Sequence, residues 1–264
     1  MTTEVFAPAK VNLTLHVTGQ RDDGYHLLDS LVVFADIGDR LWFKAAPQMQ
    51  IEVTGPFAVG VPTDRRNLVW QAAELAGWTG HITLEKNLPH GAGIGGGSSD
   101  AAAVLQAFGG ADHALSLGAD VPVCLKHTPQ RMRGIGELLD PIEGLPALEI
   151  VLVNPRVVVP TGTVFLGLQS KQNDPMGDVM PEFESAPAFC DWLAAQRNDL
   201  ERPARAIAPE VGAALAALDG ALLARMSGSG ATCFGLYATG AAAAAACIAQ
   251  EHPDWWLASG RVLS

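Results

Sequence analysis

A chain of 264 residues is long enough for one large domain or two ordinary ones, and its 48% hydrophobic and 17% charged residues exclude intrinsic disorder. Its 28 acidic against 17 basic residues give a formal net charge of −11. That balance argues against nucleic-acid or membrane-surface binding as a whole-chain property, but not against binding a small anion, which backbone N–H groups can do at any net charge.

The first informative segment runs from Glu4 to Val17. Val11, Leu13, Leu15 and Val17 alternate with Asn12, Thr14, His16 and Thr18. A period of two predicts a strand with one core face and one polar face, the latter carrying Asn12, His16 and Lys10. Arg21–His26 reads as a turn from its Asp and Gly content. Strand-like runs follow at Leu31–Ala35 and Arg40–Lys44, joined through Ile37-Gly38-Asp39, and Met49, Ile51 and Val53 alternate again. The expectation is a series of antiparallel strands. From Asn67 the pattern changes to a helical face of Leu68, Ala72, Leu75 and Ala76, then a strand at His81–Lys86. A glycine-rich loop, Leu88 to Asp100, leads into an Ala-rich helix over Ala101–Phe108. The second half opens with a β-branched run, Leu148–Val153, and Pro160-Thr161-Gly162-Thr163 offers a helix entry. Helices are expected near Phe189–Gln196, Glu210–Leu218 and Ala241–Gln250, and Arg225–Tyr237 reads as strand, glycine turn, strand. Two prolines and Gly144 within Pro141–Pro146 mark the best domain boundary, giving domains 1–145 and 146–264.

No stretch reaches the apolar length of a membrane span, and Met1-Thr2-Thr3-Glu4 lacks the basic region and apolar core of a signal peptide. Cys124, Cys190, Cys233 and Cys247 form no C-x-x-C pair and sit in apolar surroundings. A cytoplasmic location with buried free thiols is expected.

The glycine loop is the strongest chemical signal. Five glycines in seven residues, Gly91 to Gly97, let the backbone approach a phosphate chain closely, and Ser98-Ser99 stand at the start of a helix. Unpaired N–H groups and the helix dipole there favour an anion. The alternative is a flexible loop with a serine cap. The loop lacks the lysine of a P-loop and the β-α-β context of a dinucleotide fingerprint. Asp100, just behind the serines, either satisfies the helix N-terminus or faces a bridging cation. Asp120 lies in Leu117–Val123, either as a helix cap or as a placed base. Lys10 is either a solvated edge lysine or part of a polar pocket floor with Asn12 and His16. Met226–Thr232 is a tight turn or a surface for the non-phosphate end of a substrate. Tyr25-His26 is loop packing or a platform for a flat ring.

Taken together, Pro8–Leu13, Gly19–His26, Pro89–Ala101, Leu117–Val123 and Ser227–Thr232 resemble the small-molecule kinase superfamily of galactokinase, homoserine kinase and mevalonate kinase. The segments stand in family order and span nearly the whole chain. Within the superfamily they are most similar to a kinase of the non-mevalonate isoprenoid pathway. The resemblance implies an α+β fold of two domains, an N-terminal ribosomal-protein-like one and a C-terminal ferredoxin-like one, with the active site in the cleft. It implies transfer of the ATP γ-phosphoryl group to the 2-hydroxyl of a cytidine-diphosphate-linked methylerythritol. Asp120 would be the base, assisted by Lys10; Asn12, Tyr25, His26 and Phe165 would bind the substrate, Tyr25 and Phe165 on opposite sides of the cytosine ring. Asn67 and Lys86 would lie near the adenine, while Gly93, Gly95, Gly96, Gly97, Ser98 and Ser99 would wrap the triphosphate. Mg²⁺ is expected with ATP, though no ligand cluster identifies its holders, and neither a nucleic-acid nor a membrane partner is expected. Two departures stand out: Ala101–Ser116 is short by about one helix, and Arg131-Met132-Arg133 stands where smaller residues are expected. Within the superfamily the rival reading is a kinase of a smaller alcohol; outside it, a non-catalytic nucleotide-binding protein.

Overall fold

The computed structural model describes residues 3–264. In chain order it contains β1 (Thr3–Asn12), β2 (His16–Gln20), β3 (His26–Ala45), β4 (Gln50–Thr54), α1 (Leu68–Leu75), β5 (Gly80–Glu85), α2 (Gly96–Phe108), α3 (Ala114–Leu117), α4 (Val121–Cys124), β6 (Gln130–Gly134) and β7 (Leu138–Pro141). There follow β8 (Glu149–Asn154), α5 (Thr161–Leu166), α6 (Ala186–Ala194), α7 (Glu201–Ile207), α8 (Glu210–Ala217), β9 (Leu223–Met226), β10 (Cys233–Tyr237), α9 (Ala241–Glu251) and β11 (Trp256–Arg261).

Two compact units form, and they interleave in sequence instead of dividing near Pro141–Pro146. The first takes the chain up to Lys10, Gly38–His90 and Gly95–His127; the second takes Val11–Ile37, Gly91–Ile94 and Thr128–Ser264.

In the first unit the end of β3 pairs antiparallel with β5, Leu41 opposite Leu84 and Phe43 opposite Ile82. β4 pairs with β5 in parallel, not antiparallel as expected. The connection between them carries α1, and a parallel pair needs such a crossover. Leu41, Phe43, Ile82 and Leu84 are buried, as are Val69, Ala72 and Ala73 of α1 and Ala101–Leu105 of α2. α1 packs on α2. Small alanines permit that close approach, and Trp78 stacks on Phe108 with centroids 4.5 Å apart to close the end of the layer. The Ile37-Gly38-Asp39 segment is not a turn. β3 runs through it without interruption. Gly38 is there for space: a Cβ would fall against the Ala7 carbonyl and 2.7 Å from the Phe6 ring.

In the second unit, β2 and the start of β3 form a hairpin with a register shift between Val17 and Gly19. β6 pairs with β3 on its other edge, and β7 with β6. A separate four-stranded sheet has the order β11-β8-β10-β9, with β8, β9 and β11 antiparallel to their neighbours. With α5–α8 between β8 and β9, and α9 between β10 and β11, the pattern is β-α-β-β-α-β. Val151, Val153, Val164, Leu200, Val211, Met226 and Ile248 belong to one core cluster joining this sheet to its helices.

The first predicted strand is broken. β1 ends at Asn12 and β2 begins at His16. The expected polar face is also interior: Asn12, Thr14 and His16 are 1%, 0% and 1% exposed. Internal partners replace water. Asn12 Nδ2 donates to Ser30 Oγ (2.8 Å), Thr14 Oγ1 accepts from the Leu31 amide (2.8 Å), and His16 Nε2 accepts from the Arg197 amide (3.4 Å). Sequence alternation shows which residues share a face, but not whether a second layer covers it.

Candidate active site

In the first unit, Lys10 Nζ donates to Asp120 Oδ2 at 2.9 Å across 110 positions of chain. The Lys10 side chain is 4% exposed and that of Asp120 is 38% exposed. Asp120 occupies the N-cap position of α4, yet its side chain makes no capping hydrogen bond. The side chain therefore does not act as the helix cap that one of the two sequence readings expected. An interior ammonium thus holds one oxygen of a carboxylate that is itself partly open to solvent.

The glycine loop reaches the same pair. Gly95 is the N-cap of α2, in the left-handed region at φ 64°. A Cβ there would lie 3.0 Å from Lys10 Cε. Glycine thus allows the loop to pass directly over the lysine stem. α2 starts at Gly96, five residues earlier than the Ala-rich pattern predicts, so its free amides belong to the loop itself. No serine caps the helix, and Asp100 does not cap it either. Ser99 Oγ and Asp100 Oδ1 are buried without a hydrogen-bond partner.

Asp100 instead belongs to a buried charge cluster that sequence reasoning missed. Lys86 Nζ donates to Asp100 Oδ2 at 2.7 Å and also to Asp39 Oδ2. The side chains of Lys86, Asp39 and Asp100 are 5%, 0% and 3% exposed. Asp39 Oδ1 accepts from the amides of Asn87 (2.6 Å) and Leu88 (2.9 Å). Burial raises the Asp100 carboxyl well above the usual range; Lys86 opposes that rise and the Asp39 carboxylate adds to it. Burial acts against the Lys86 ammonium, but Asp100 and Asp39 outweigh it and raise its pKa. Lys86 thus underpins the start of α2, with a Cβ on Gly96 3.4 Å from its Nζ. Asn67 is the N-cap of α1, its side chain accepting from the Val69 amide, and it donates to the Pro62 carbonyl.

In the second unit, the Ser227–Thr232 turn is tied to the other end of the glycine loop. Ser227 Oγ donates to the Gly93 carbonyl (2.8 Å) and accepts from the Asn12 amide (3.0 Å). The Thr232 amide donates to the Ala92 carbonyl (3.1 Å). Asn198, unmarked in the sequence reading, secures the turn from behind by donating to the carbonyls of Met226 (2.8 Å) and Gly228 (2.9 Å). Asn154 donates to Thr232 Oγ1 at 2.9 Å.

Tyr25 is 56% exposed beside the Arg21–Gly24 turn. His26 stacks on Phe165 with centroids 4.4 Å apart and an interplanar angle of 21°. Phe165 therefore pairs with the histidine ring in this structure. His26 Nε2 is buried with no hydrogen-bond partner. Burial, and next the charge of Lys171, lower the His26 pKa, so the ring is neutral at pH 7 and offers one donor and one acceptor. Arg131 also finds an explanation. Its guanidinium grips Asp29 bidentately (2.8 and 2.7 Å) and reaches the Met176 carbonyl at 2.9 Å, while Arg133 pairs with Asp140 at 2.6 Å.

The structure is thus an α+β chain with a glycine loop at a helix start and a lysine–aspartate pair beside it. The descriptions "GHMP kinases N terminal domain" and "GHMP kinases C terminal" match residues 67–125 and 180–253. The 4-diphosphocytidyl-2-C-methyl-D-erythritol kinase of Dinoroseobacter shibae is 58% identical, over 96% of this chain and 92% of its own length. That of Cereibacter sphaeroides is 54% identical, over 98% and 99%. A crystal structure of a 4-(cytidine 5'-diphospho)-2C-methyl-D-erythritol kinase aligns with a TM-score of 0.76 and 34% identity, over 99% of this chain and 100% of that one. Homoserine kinase from Cytophaga hutchinsonii, 19% identical over 99% of this chain and 94% of its own, shares the fold with a TM-score of 0.61. The chain belongs to the 4-diphosphocytidyl-2-C-methyl-D-erythritol kinase family of the GHMP kinases. It is an enzyme, a kinase. Among the described residues, no helix is long and apolar enough to cross a membrane.

Proposed function

We propose that the protein transfers the γ-phosphoryl group of ATP to the 2-hydroxyl of 4-diphosphocytidyl-2-C-methyl-D-erythritol, in the non-mevalonate route to isoprenoid precursors. The observation that carries the chemistry is the 2.9 Å contact of Lys10 with Asp120. Asp120 takes the proton of the hydroxyl as it attacks phosphorus, and the Lys10 charge steadies the alkoxide that develops. Asn12 orients the hydroxyl. The amides at the head of α2 and the glycines before it receive the triphosphate.

No three His, Cys, Asp or Glu side chains among the described residues form a metal-holding group. Mg²⁺ carried by a nucleotide needs no such cage, because phosphate oxygens and waters fill most of its shell. Ser99 Oγ, buried at the head of α2 with no partner, is an oxygen that fits this role. When bound with the nucleotide, Mg²⁺ would supply neutralisation of charge on the phosphates. Asn67 and Lys86 serve the nucleotide side by fixing α1 and the start of α2.

For the cytosine, Tyr25 offers an exposed ring face, and His26 Nε2 gains from the base edge the partner it lacks. Phe165 contributes the second aromatic surface, beside His26. The β-α-β-β-α-β order and the sheet order of the C-terminal chain support a ferredoxin-like reading of that half. In this reading residues 1–145 carry the nucleotide-binding and catalytic residues together with Asn12, Tyr25 and His26, and residues 146–264 add Phe165 on the substrate side. All four cysteines are free, which supports the reducing cytoplasm.

A substrate panel tests the reading. With ATP and Mg²⁺, the cytidyl compound is turned over and mevalonate and homoserine are not. Turnover of either small alcohol with the cytidyl compound left untouched would overturn it.

A further inference from the structure

One cavity is lined by none of the residues assigned above to nucleotide or substrate. It has a volume of roughly 390 Å³ and sits where α7, β9 and the segment before α7 meet in the second unit. Arg197, Arg202, Arg205 and Arg225 line it, four of the chain's 17 basic residues, and Glu201 is the one carboxylate in its wall. Arg225 is 7% exposed and donates only to main-chain oxygens, those of Leu13 (2.8 Å), Leu193 (2.8 Å) and Gln196 (2.9 Å). Arg202 donates to the neutral Gln169 Oε1 at 2.6 Å. Arg205 approaches Glu201 only to 3.9 Å, and Arg197 is paired with Asp199 at 2.7 Å. Counting Asp199, two carboxylates face four guanidiniums. An excess of two positive charges is thus gathered in one concavity of a chain whose net charge is −11. Crowded like charges repel, and an anion in the cavity relieves that repulsion.

We propose that this cavity is an effector site for a small anion bearing a diphosphate group. Arg202 and Arg205 are exposed and three positions apart on α7, so they lie on one side of the helix. Their planar forks match adjacent phosphoryl groups, one each, which a lone phosphate cannot do. The cavity is large enough for a diphosphate with a small organic substituent.

The site is wired to the glycine turn. Glu201 Oε2 accepts from the Met226 amide (3.1 Å), and Asn198, also in the cavity wall, holds the Met226 and Gly228 carbonyls. An anion that takes over Arg205 leaves Glu201 to Arg225 and to Met226, at the root of the turn. This consequence rests on reading Met226–Thr232 as a surface for the non-phosphate end of the substrate; the binding site itself does not.

Calorimetry with inorganic pyrophosphate tests the site, run with the ATP site saturated by a non-hydrolysable ATP analogue. The expected result is one saturable pyrophosphate per chain that the analogue does not displace. Arg202→Ala/Arg205→Ala should weaken it about tenfold or more, with unchanged circular dichroism. Orthophosphate at equal ionic strength should bind more weakly. Displacement of all binding by the analogue, equal affinity in the double variant, or equal affinity for orthophosphate would each overturn the proposal. Should that variant not fold, the Met226 amide resonance of the wild type decides: it shifts on pyrophosphate addition with the analogue present if the site exists, and stays fixed if it does not.

Discussion

Replacing Lys86 by Met removes the single cation from a cluster of two carboxylates that are 0% and 3% exposed. The hydrophobic stem is kept, so packing changes little and the loss is electrostatic. Breaking a buried ion pair by deleting one partner costs about 3–5 kcal/mol, because the other charge stays in low dielectric without compensation. At about 2–4 °C per kcal/mol, the unfolding midpoint should fall by roughly 6–20 °C. The penalty should depend on pH. Asp39 retains two amide donors, whereas Asp100 Oδ1 has none, and its carboxyl, already raised by burial, takes up a proton more readily still. Thermal unfolding of Lys86→Met by circular dichroism should therefore show a larger deficit at pH 8 than at pH 5. Adding Asp100→Asn should restore part of it at pH 8. A deficit below about 1 kcal/mol at pH 8, or one independent of pH, would refute the buried-charge reasoning.

Three further outcomes follow from the same geometry. The Asp100 carboxyl is pushed up to about 7 by burial, against 3.8 for its ordinary value. Between those two pH values the folded chain holds a proton that the unfolded chain has lost, so this group's stabilisation declines as pH rises from about 4 to about 7. Asp100→Asn should abolish that component in pH-dependent denaturant titrations; an unchanged profile would contradict the assignment. Tyr25→Ala should raise KM for the cytidyl substrate by about tenfold, in keeping with about 1–3 kcal/mol for stacking of a base on an aromatic ring, and leave KM for ATP within twofold. Equal change in both would remove the stacking role. Arg131→Met strands Asp29, whose side chain is 3% exposed, and should destabilise by about 3 kcal/mol in chemical denaturation; a neutral result would show the pair to be dispensable.

Much of this was legible in the sequence, for identifiable reasons. Alternation found β1, β4 and β5, the last two because each buries one face more than the other, and a continuous β-branched run found β8, which is buried on both faces. The glycine loop announced itself by composition. The Lys10–Asp120 pair was legible only through resemblance, since its partners are 110 positions apart and nothing local links them. Asp39 was hidden because Ile37-Gly38-Asp39 imitates a turn, while Gly38 serves close approach inside a continuous strand. α7 was missed because Pro203 and three charged residues obscure its periodicity. β11 pairs only with β8, on one edge of its sheet, and lacks alternation strong enough to declare it. Asn198 carries no pattern at all; its importance lies in two carbonyls about 30 positions further on. Arg131 looked anomalous because its partner, Asp29, is 102 positions away.

The central claim is that Asp120 accepts the proton of the attacking alcohol while Lys10 holds it in place. Steady-state turnover of Asp120→Asn with ATP and the cytidyl substrate, alongside calorimetric titration of an ATP analogue, measures it most directly. The account predicts a kcat lowered by about 10²–10⁴ with nucleotide affinity within a few-fold of wild type. A variant that still turns over within a few-fold of wild type would contradict it.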